Sequence, residues 1–235
     1  MTTTTRIVLV FLIIVLGVLV VLPFVLNTIG VNIFQLGSGG SGFLKSNREE
    51  SLLVSFDGGE WRSVSFVHDQ KTSAPSRFFD ISFHAKDKTI VFLGTKGNGL
   101  WKSVDAGKTW EKKFNQDRVL ASDGDVYRVA VSASDPQKLY AAVYQNKRGR
   151  VLKSEDGGEF FREVYFVSKE GFGVFDVYVD PKNSEHVFIA TGQGGVLETW
   201  DGGATWHVKH WFPGPVVRLI VSPRTTSEMY AFTDG

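Results

Sequence analysis

One phrase recurs four times along the chain, and it restricts the fold more than any other feature. Its copies are Ser55-Phe-Asp-Gly-Gly-Glu-Trp61, Ser103-Val-Asp-Ala-Gly-Lys-Thr-Trp110, Ser154-Glu-Asp-Gly-Gly-Glu-Phe-Phe161 and Thr199-Trp-Asp-Gly-Gly-Ala-Thr-Trp206. Their aspartates, Asp57, Asp105, Asp156 and Asp201, lie 48, 51 and 45 residues apart. A period of this size marks a repeat architecture, in which each unit buries apolar faces against its neighbours. Two more phrases keep the same beat. Alternating runs at Ile81–Phe83, Val129–Val131, Val177–Val179 and Leu219–Val221 each precede, by ten residues, an apolar run at Val91–Gly94, Leu139–Ala142, Val187–Ala190 and Met229–Phe232.

Each unit thus holds an alternating strand and then a Tyr/Phe-rich strand. A third strand leads into the recurring phrase (Gly99–Ser103, Arg150–Ser154, Gly195–Thr199), and a fourth begins at its aromatic (Trp110–Phe114, Trp206–His210). Four short strands per unit of about 42–50 residues predict an all-β fold, a β-propeller of four-stranded blades, over a solenoid. Helical periodicity is absent after residue 26. About four blades are expected across residues 43–235. The last unit supplies two strands before Asp234-Gly235, and the first lacks its opening strand. A closed four-bladed ring and a propeller truncated at its C-terminus both fit, and the second is favoured.

The recurring phrase reads as a hairpin turn. Gly accepts positive φ, and Asp bonds to backbone N–H groups a few residues on. The Ser or Thr two positions earlier ties the entering strand to the same turn, and the aromatic is buried beside the next blade. The structural set is therefore Ser55, Asp57, Gly59, Trp61; Ser103, Asp105, Gly107, Trp110; Ser154, Asp156, Gly158, Phe161; and Thr199, Asp201, Gly203, Trp206. Each turn offers one carboxylate, too few for calcium.

The pattern Ser/Thr-x-Asp-x-Gly-x-Thr-Trp, most complete at Val177–Trp206, resembles the Asp-box (BNR) repeat and is similar to propellers of the sortilin, photosystem-assembly-factor and xyloglucanase types. Trp61 comes one residue early and Phe161 replaces Trp, so the repeats are relaxed. The resemblance implies that the box aspartates are structural and peripheral. It also raises two enzymatic readings. Sialidases need an Arg-Ile-Pro phrase that is missing here, and xyloglucanases use two carboxylates across a cleft between two propellers, for which the chain is short.

Ahead of the repeats, Ile7–Leu26 is a run without a polar residue, eighteen of its twenty positions being Val, Ile, Leu or Phe. On an insertion scale these contribute roughly −8 kcal/mol. Twenty residues at 1.5 Å rise match the ~30 Å hydrocarbon core. The run exceeds a signal-peptide core of about 7–15 residues. The expected order is an N-terminal tail (1–6), a transmembrane helix (7–26), a flexible Gly/Ser linker (27–42) and the propeller (43–235). Arg6 before the span, with Lys45 and Arg48 well beyond it, favours a cytoplasmic N-terminus and an extracytoplasmic body.

Charge excludes other classes. Lys and Arg number 26 against 25 Asp and Glu, a balance that leaves no basic footprint for nucleic acid. The absence of Cys excludes disulfides, thiol catalysis, Cys-ligated metals and a lipoprotein Cys. No cofactor or metal is expected: His207 and His210 point to opposite faces of a strand, and His68, His84 and His186 are scattered. Asp123-Gly-Asp125 reads as a turn. No catalytic residue is assigned.

One pattern suggests an axial role. The residues just before the first strands, Asp80, Arg128, Asp176 and Arg218, alternate in sign and are expected to pair around a central channel. The expected function is a non-enzymatic, membrane-anchored binding or assembly module for proteins or glycans. Its loops His68–Arg77, Asn115–Val126 and Val167–Gly173 supply contacts such as Lys169 and Phe172. The alternatives are a structural cell-surface module and a fragment of a glycoside hydrolase, sialidase- or xyloglucanase-like.

Overall fold

The computed structural model describes residues 77–222 and 228–234, with the backbone of three short strands before them, all within the unit Glu50–Gly235. The N-terminal tail, the apolar run 7–26, the linker, the first box (Ser55, Asp57, Gly59, Trp61), His68 and most of the loop His68–Arg77 lie outside the described residues.

The early strands are β1 (Leu53–Val54), β2 (Arg62–Ser63) and β3 (Ser65–Phe66). The first blade comprises β4 (Phe78–Phe83), β5 (Val91–Thr95), β6 (Leu100–Ser103) and β7 (Thr109–Lys113). The second comprises β8 (Asp125–Val131), β9 (Leu139–Gln145), β10 (Arg148–Ser154) and β11 (Arg162–Phe166). The third comprises β12 (Val174–Asp180), β13 (Asn183–Thr191), β14 (Gly195–Thr199) and β15 (His207–Trp211). A pair, β16 (Val216–Val221) and β17 (Met229–Thr233), follows.

Within each blade the strands meander in chain order and pair antiparallel, while β3 adds to the edge of β7 in parallel. No helix occurs among the described residues. The first strands pack in sequence, β4 on β8, β8 on β12 and β12 on β16. This is the blade arrangement of a propeller.

The second strand of each blade explains why blades must stack. Side chains on a strand alternate between faces. Along β9, Leu139, Ala141 and Val143 enter the core shared with the first blade, while Tyr140 and Ala142 enter the core shared with the third. Along β13, Val187 and Ile189 face the second blade, and Phe188 and Ala190 face the β16–β17 pair. Both faces are apolar, so these segments read as unbroken hydrophobic runs.

Backbone also meets backbone at the seams. A Cβ added to Gly149 would stand 2.3 Å from the Val174 nitrogen and 2.4 Å from the Gly173 carbonyl carbon. Here the Gly149 N–H donates to the Phe172 carbonyl at 2.8 Å. Gly149→Ala should therefore destabilise the protein by about 1–3 kcal/mol through overpacking. Urea unfolding checks this; an unchanged midpoint would show that the seam can yield.

Candidate functional site

In the three described boxes, each carboxylate is occupied by its own turn. In the first, the Ser103 hydroxyl donates to Asp105 Oδ1 at 2.8 Å and accepts from the Gly107 N–H at 2.8 Å. The Thr109 N–H and hydroxyl donate to the two Asp105 oxygens at 2.9 and 2.6 Å. Thr199, Asp201, Gly203 and Thr205 repeat the arrangement. In the middle box Ser154 and Gly158 do likewise, and Asp156 accepts from the Glu159 and Phe160 N–H groups. The turns need two successive left-handed residues: Ala106 and Gly107, Gly157 and Gly158, Gly202 and Gly203.

The box aromatics enter the seams between blades. Phe161 joins the core between the first and second blades, and Trp206 packs between the second and third, its indole N–H donating to the Val164 carbonyl at 2.9 Å. Trp110 is buried on the far face of the first blade, its indole N–H donating to Gly107 O at 3.0 Å.

The four alternating charges come together along the axis, inside the first strands rather than before them. Arg128 Nη1 donates to Asp80 Oδ1 at 2.8 Å, and Arg128 Nε lies 3.4 Å from Asp176 Oδ1. Arg218 Nε stands 3.7 Å from Asp176 Oδ2. Each aspartate also accepts a backbone N–H from the next blade, Val129 to Asp80 and Leu219 to Asp176, both at 2.8 Å. Every first strand shifts register immediately before its charged residue. This bulge re-aims the side chain. Burial holds the Asp176 carboxyl above the ordinary carboxylate range, against the Leu219 N–H and the two arginines.

The residues skipped by these bulges are Phe79, Tyr127, Phe175 and Val217. The first three make a row of rings with centroids 4.9 and 5.2 Å apart. Phe79 and Val217 are exposed, and Tyr127 and Phe175 are half-buried. Gly173 and Gly192 press on the Phe175 ring; an added Cβ would stand 2.7 and 3.0 Å from it. Burial and then the Asp125 carboxylate push the Tyr127 phenol up to about 12.

Other sequence candidates fall elsewhere. Lys169 Nζ sits 5.0 Å from the Phe172 ring centroid. Asp125 Oδ1 accepts the Gly97 N–H at 2.7 Å, while Asp123 is exposed. His84 Nδ1 accepts the Asp87 N–H at 2.9 Å, and His207 and His210 are exposed on β15. His186 is less isolated than its sequence position suggested. It bridges Asp180 and Glu198 at 3.1 and 3.0 Å and stacks on Trp200 with centroids 3.5 Å apart. Its alternation with Glu198 across paired strands was the missing signal. Among the described residues no three His, Asp or Glu could hold a metal ion.

Sequence reading also missed the third-strand lysines. Lys153, 2% exposed in its side chain, pairs with Glu155 and Glu185, both at 2.9 Å. Lys102 pairs with Glu159 of the next blade at 2.7 Å and donates to the Gly157 carbonyl at 2.9 Å. A lysine beside the box serine fastens one blade to the next.

No family model matches the chain. A search of curated proteins finds similarity to an oligoxyloglucan-reducing end-specific xyloglucanase of Emericella nidulans, 24% identical over 177 residues, 60% of this chain and 20% of the relative. A xyloglucanase of Hypocrea jecorina is 28% identical over 141 residues, 54% of this chain and 17% of the relative. Xyloglucanase Xgh74A of Acetivibrio thermocellus is 29% identical over 134 residues, 48% and 16%. The chain therefore matches no more than a fifth of the length of these relatives.

Among solved structures, the GH74 xyloglucanase from Xanthomonas campestris aligns with a TM-score of 0.56 at 17% identity, over 79% of this chain and 29% of that one. The COPII outer coat vertex aligns at 0.55 and 15%, over 78% and 50%. YCF48 from Cyanidioschyzon merolae aligns at 0.51 and 20%, over 63% and 48%. These likenesses establish the propeller fold. The curated relatives overturn one expectation from sequence, that the chain is not an enzyme: the proteins it matches are xyloglucanases. The shortness of the chain for two propellers does not exclude that class, since it matches only a fifth or less of each relative's length.

Two predictions follow from this geometry. Replacing Asp80 and Arg128 singly and together by Ala should give a coupling energy of about 1–2 kcal/mol in urea unfolding; strictly additive losses would leave the axial pair without energetic weight. The second concerns acid. The Thr109 hydroxyl and N–H hold the Asp105 carboxyl down to about 2, and the corresponding Thr205 groups lower Asp201. An unfolded Asp titrates near ~4. The stabilisation is thus present above about pH 4 and is lost as pH falls towards about 2. Asp105→Asn should flatten the acid limb of a plot of urea midpoint against pH, and an unchanged limb would refute the assignment.

Proposed function

We propose that the chain is a propeller portion of a glycoside hydrolase acting on xyloglucan or a related β-glucan. In this reading its recurring phrases are Asp-boxes, residues 7–26 anchor it in a membrane, and its body lies outside the cytoplasm, where a polysaccharide substrate is met. The observation that carries the reading is the match to xyloglucanases from three organisms. The axial row of Phe79, Tyr127 and Phe175 supports it. A pyranose presents flat C–H faces with hydroxyls at its rim, which suits partly exposed rings beside fixed polar groups.

Within this chain the role of that row is to bind and orient the glucan. Hydrolysis needs a carboxylic acid and a carboxylate flanking the scissile bond. The box carboxylates Asp105, Asp156 and Asp201 are spent on their turns. Asp176 is 2% exposed and takes N–H groups on both oxygens. The boxes and the axial charges therefore hold the scaffold, and no catalytic pair is assigned to them.

The test uses the whole chain in detergent, with retardation in native gels containing xyloglucan and release of reducing ends from the polymer. Xyloglucan should retard the protein, and a Tyr127→Ala, Phe175→Ala double variant should need at least tenfold more polymer. Neither retardation nor reducing ends at any polymer concentration would overturn the proposal.

A further inference from the structure

Away from the axis, the seam between the first two blades opens outward. A cavity of about 610 Å³ lies between the end of β7 with the segment after it and the box turn of the second blade. Its walls include Glu111, Lys113, Phe114, Asn115, Glu159 and Phe160. We propose that this groove is a second carbohydrate-binding site, taking a neutral β-linked hexose oligosaccharide. The choice of sugar rests on the β-glucan reading above; the site itself is separate from the axial row.

Three observations point to that ligand. The first is apolar surface left in water. Phe114 is 55% and Phe160 72% exposed, although aromatic rings of this size are usually covered. Phe160 stands within the box, where the other two described copies have Thr109 and Thr205, and precedes Phe161, which fills the inter-blade core; one ring of the pair serves the fold and the other faces out.

The second is a buried acceptor without a donor. The Asn115 side chain donates through Nδ2 to the Phe161 carbonyl at 3.1 Å, but its Oδ1 is buried and has no hydrogen-bond partner. Buried polar atoms are nearly always paired, and Asn115 lines the cavity, so an acceptor that the chain leaves without a donor lies beside the groove.

The third is charge. Lys113 Nζ lies 3.2 Å from Glu111 and 2.9 Å from Glu159, and Glu159 also holds Lys102 at 2.7 Å. Burial works against it, but Lys102 and Lys113 keep the Glu159 carboxyl below its usual range. The charges satisfy one another across the seam, so the groove offers a rigid polar floor to an uncharged molecule. An anionic ligand would meet Glu111, Asp117 and Glu159 together. The volume falls within the roughly 300–1,000 Å³ of small-molecule sites. Flat apolar faces with hydroxyls at the edge are what two outward phenyl rings and a fixed amide can recognise together.

The experiment titrates cellotetraose into the whole chain in detergent by calorimetry. It uses wild type, a Phe114→Ala, Phe160→Ala double variant, Phe160→Trp, and the axial Tyr127→Ala, Phe175→Ala variant. Thermal melts confirm that each variant folds; Phe160→Trp keeps an aromatic and should fold like wild type. In the axial variant, which leaves the groove intact, cellotetraose binding should persist. Relative to wild type, the groove double variant should lose a class of sites or weaken it at least tenfold, and Phe160→Trp should hold or tighten it. Binding that is unchanged in the groove double variant, or abolished by the axial variant alone, would overturn the groove while leaving the β-glucan reading standing. If cellotetraose binds to no variant, yet the native gel with xyloglucan still shows axial binding, the groove again fails alone. Failure in both assays would remove both proposals.

Discussion

A sheet whose two faces are both apolar cannot stand alone in water, and this constraint organises the molecule. The second strands make it concrete. Residues on β9 divide between two cores, Leu139, Ala141 and Val143 on one side and Tyr140 and Ala142 on the other. Burying a single side chain of this kind is worth about 1.5–3 kcal/mol. A blade that lost either neighbour would return several such groups to water, so stacking around an axis follows from strand composition. The same condition dictates small residues at the seams, where Gly149 meets the backbone of Gly173 and Val174.

Polar groups then fix what apolar packing leaves loose. Oil-like faces can slide; directional bonds cannot. At the axis, Asp80 and Asp176 accept N–H groups from strands of the following blades, which sets the relative height of neighbouring sheets. At the periphery, Lys102 and Lys153 reach across to the next blade with their ammonium groups over the rings of Phe92 and Tyr140. The boxes hold the hairpins between them. The carboxylates of the described boxes and of Asp176 are thereby absorbed into the scaffold.

Much of this was legible in the chain. The period of the boxes and the constant offset of ten between the first and second strands located every strand of three blades except Arg162–Phe166, because turn chemistry and side-chain alternation are local properties. The signs at Asp80, Arg128, Asp176 and Arg218 were visible as well. Their bulges were not, since a register shift depends on the partner strand and leaves no mark on the bulged residue itself. His186 looked isolated because Asp180 and Glu198 approach it only through pairing of β13 with its neighbours. The outer groove was equally hidden: Phe114 and Phe160 stand 46 positions apart and belong to different blades.

The chain by itself therefore determined the repeating unit, the turns and the identity of the residues that must be buried. Each of these rests on interactions within a few residues, or on a period that any stacked arrangement obeys. Tertiary structure alone decided which aromatics face solvent, which carboxylates are used up and which amide oxygen lacks a donor. Those outcomes depend on how two blades meet, and side chains of identical chemistry, Phe160 and Phe161, are sent to opposite fates by one step along the backbone.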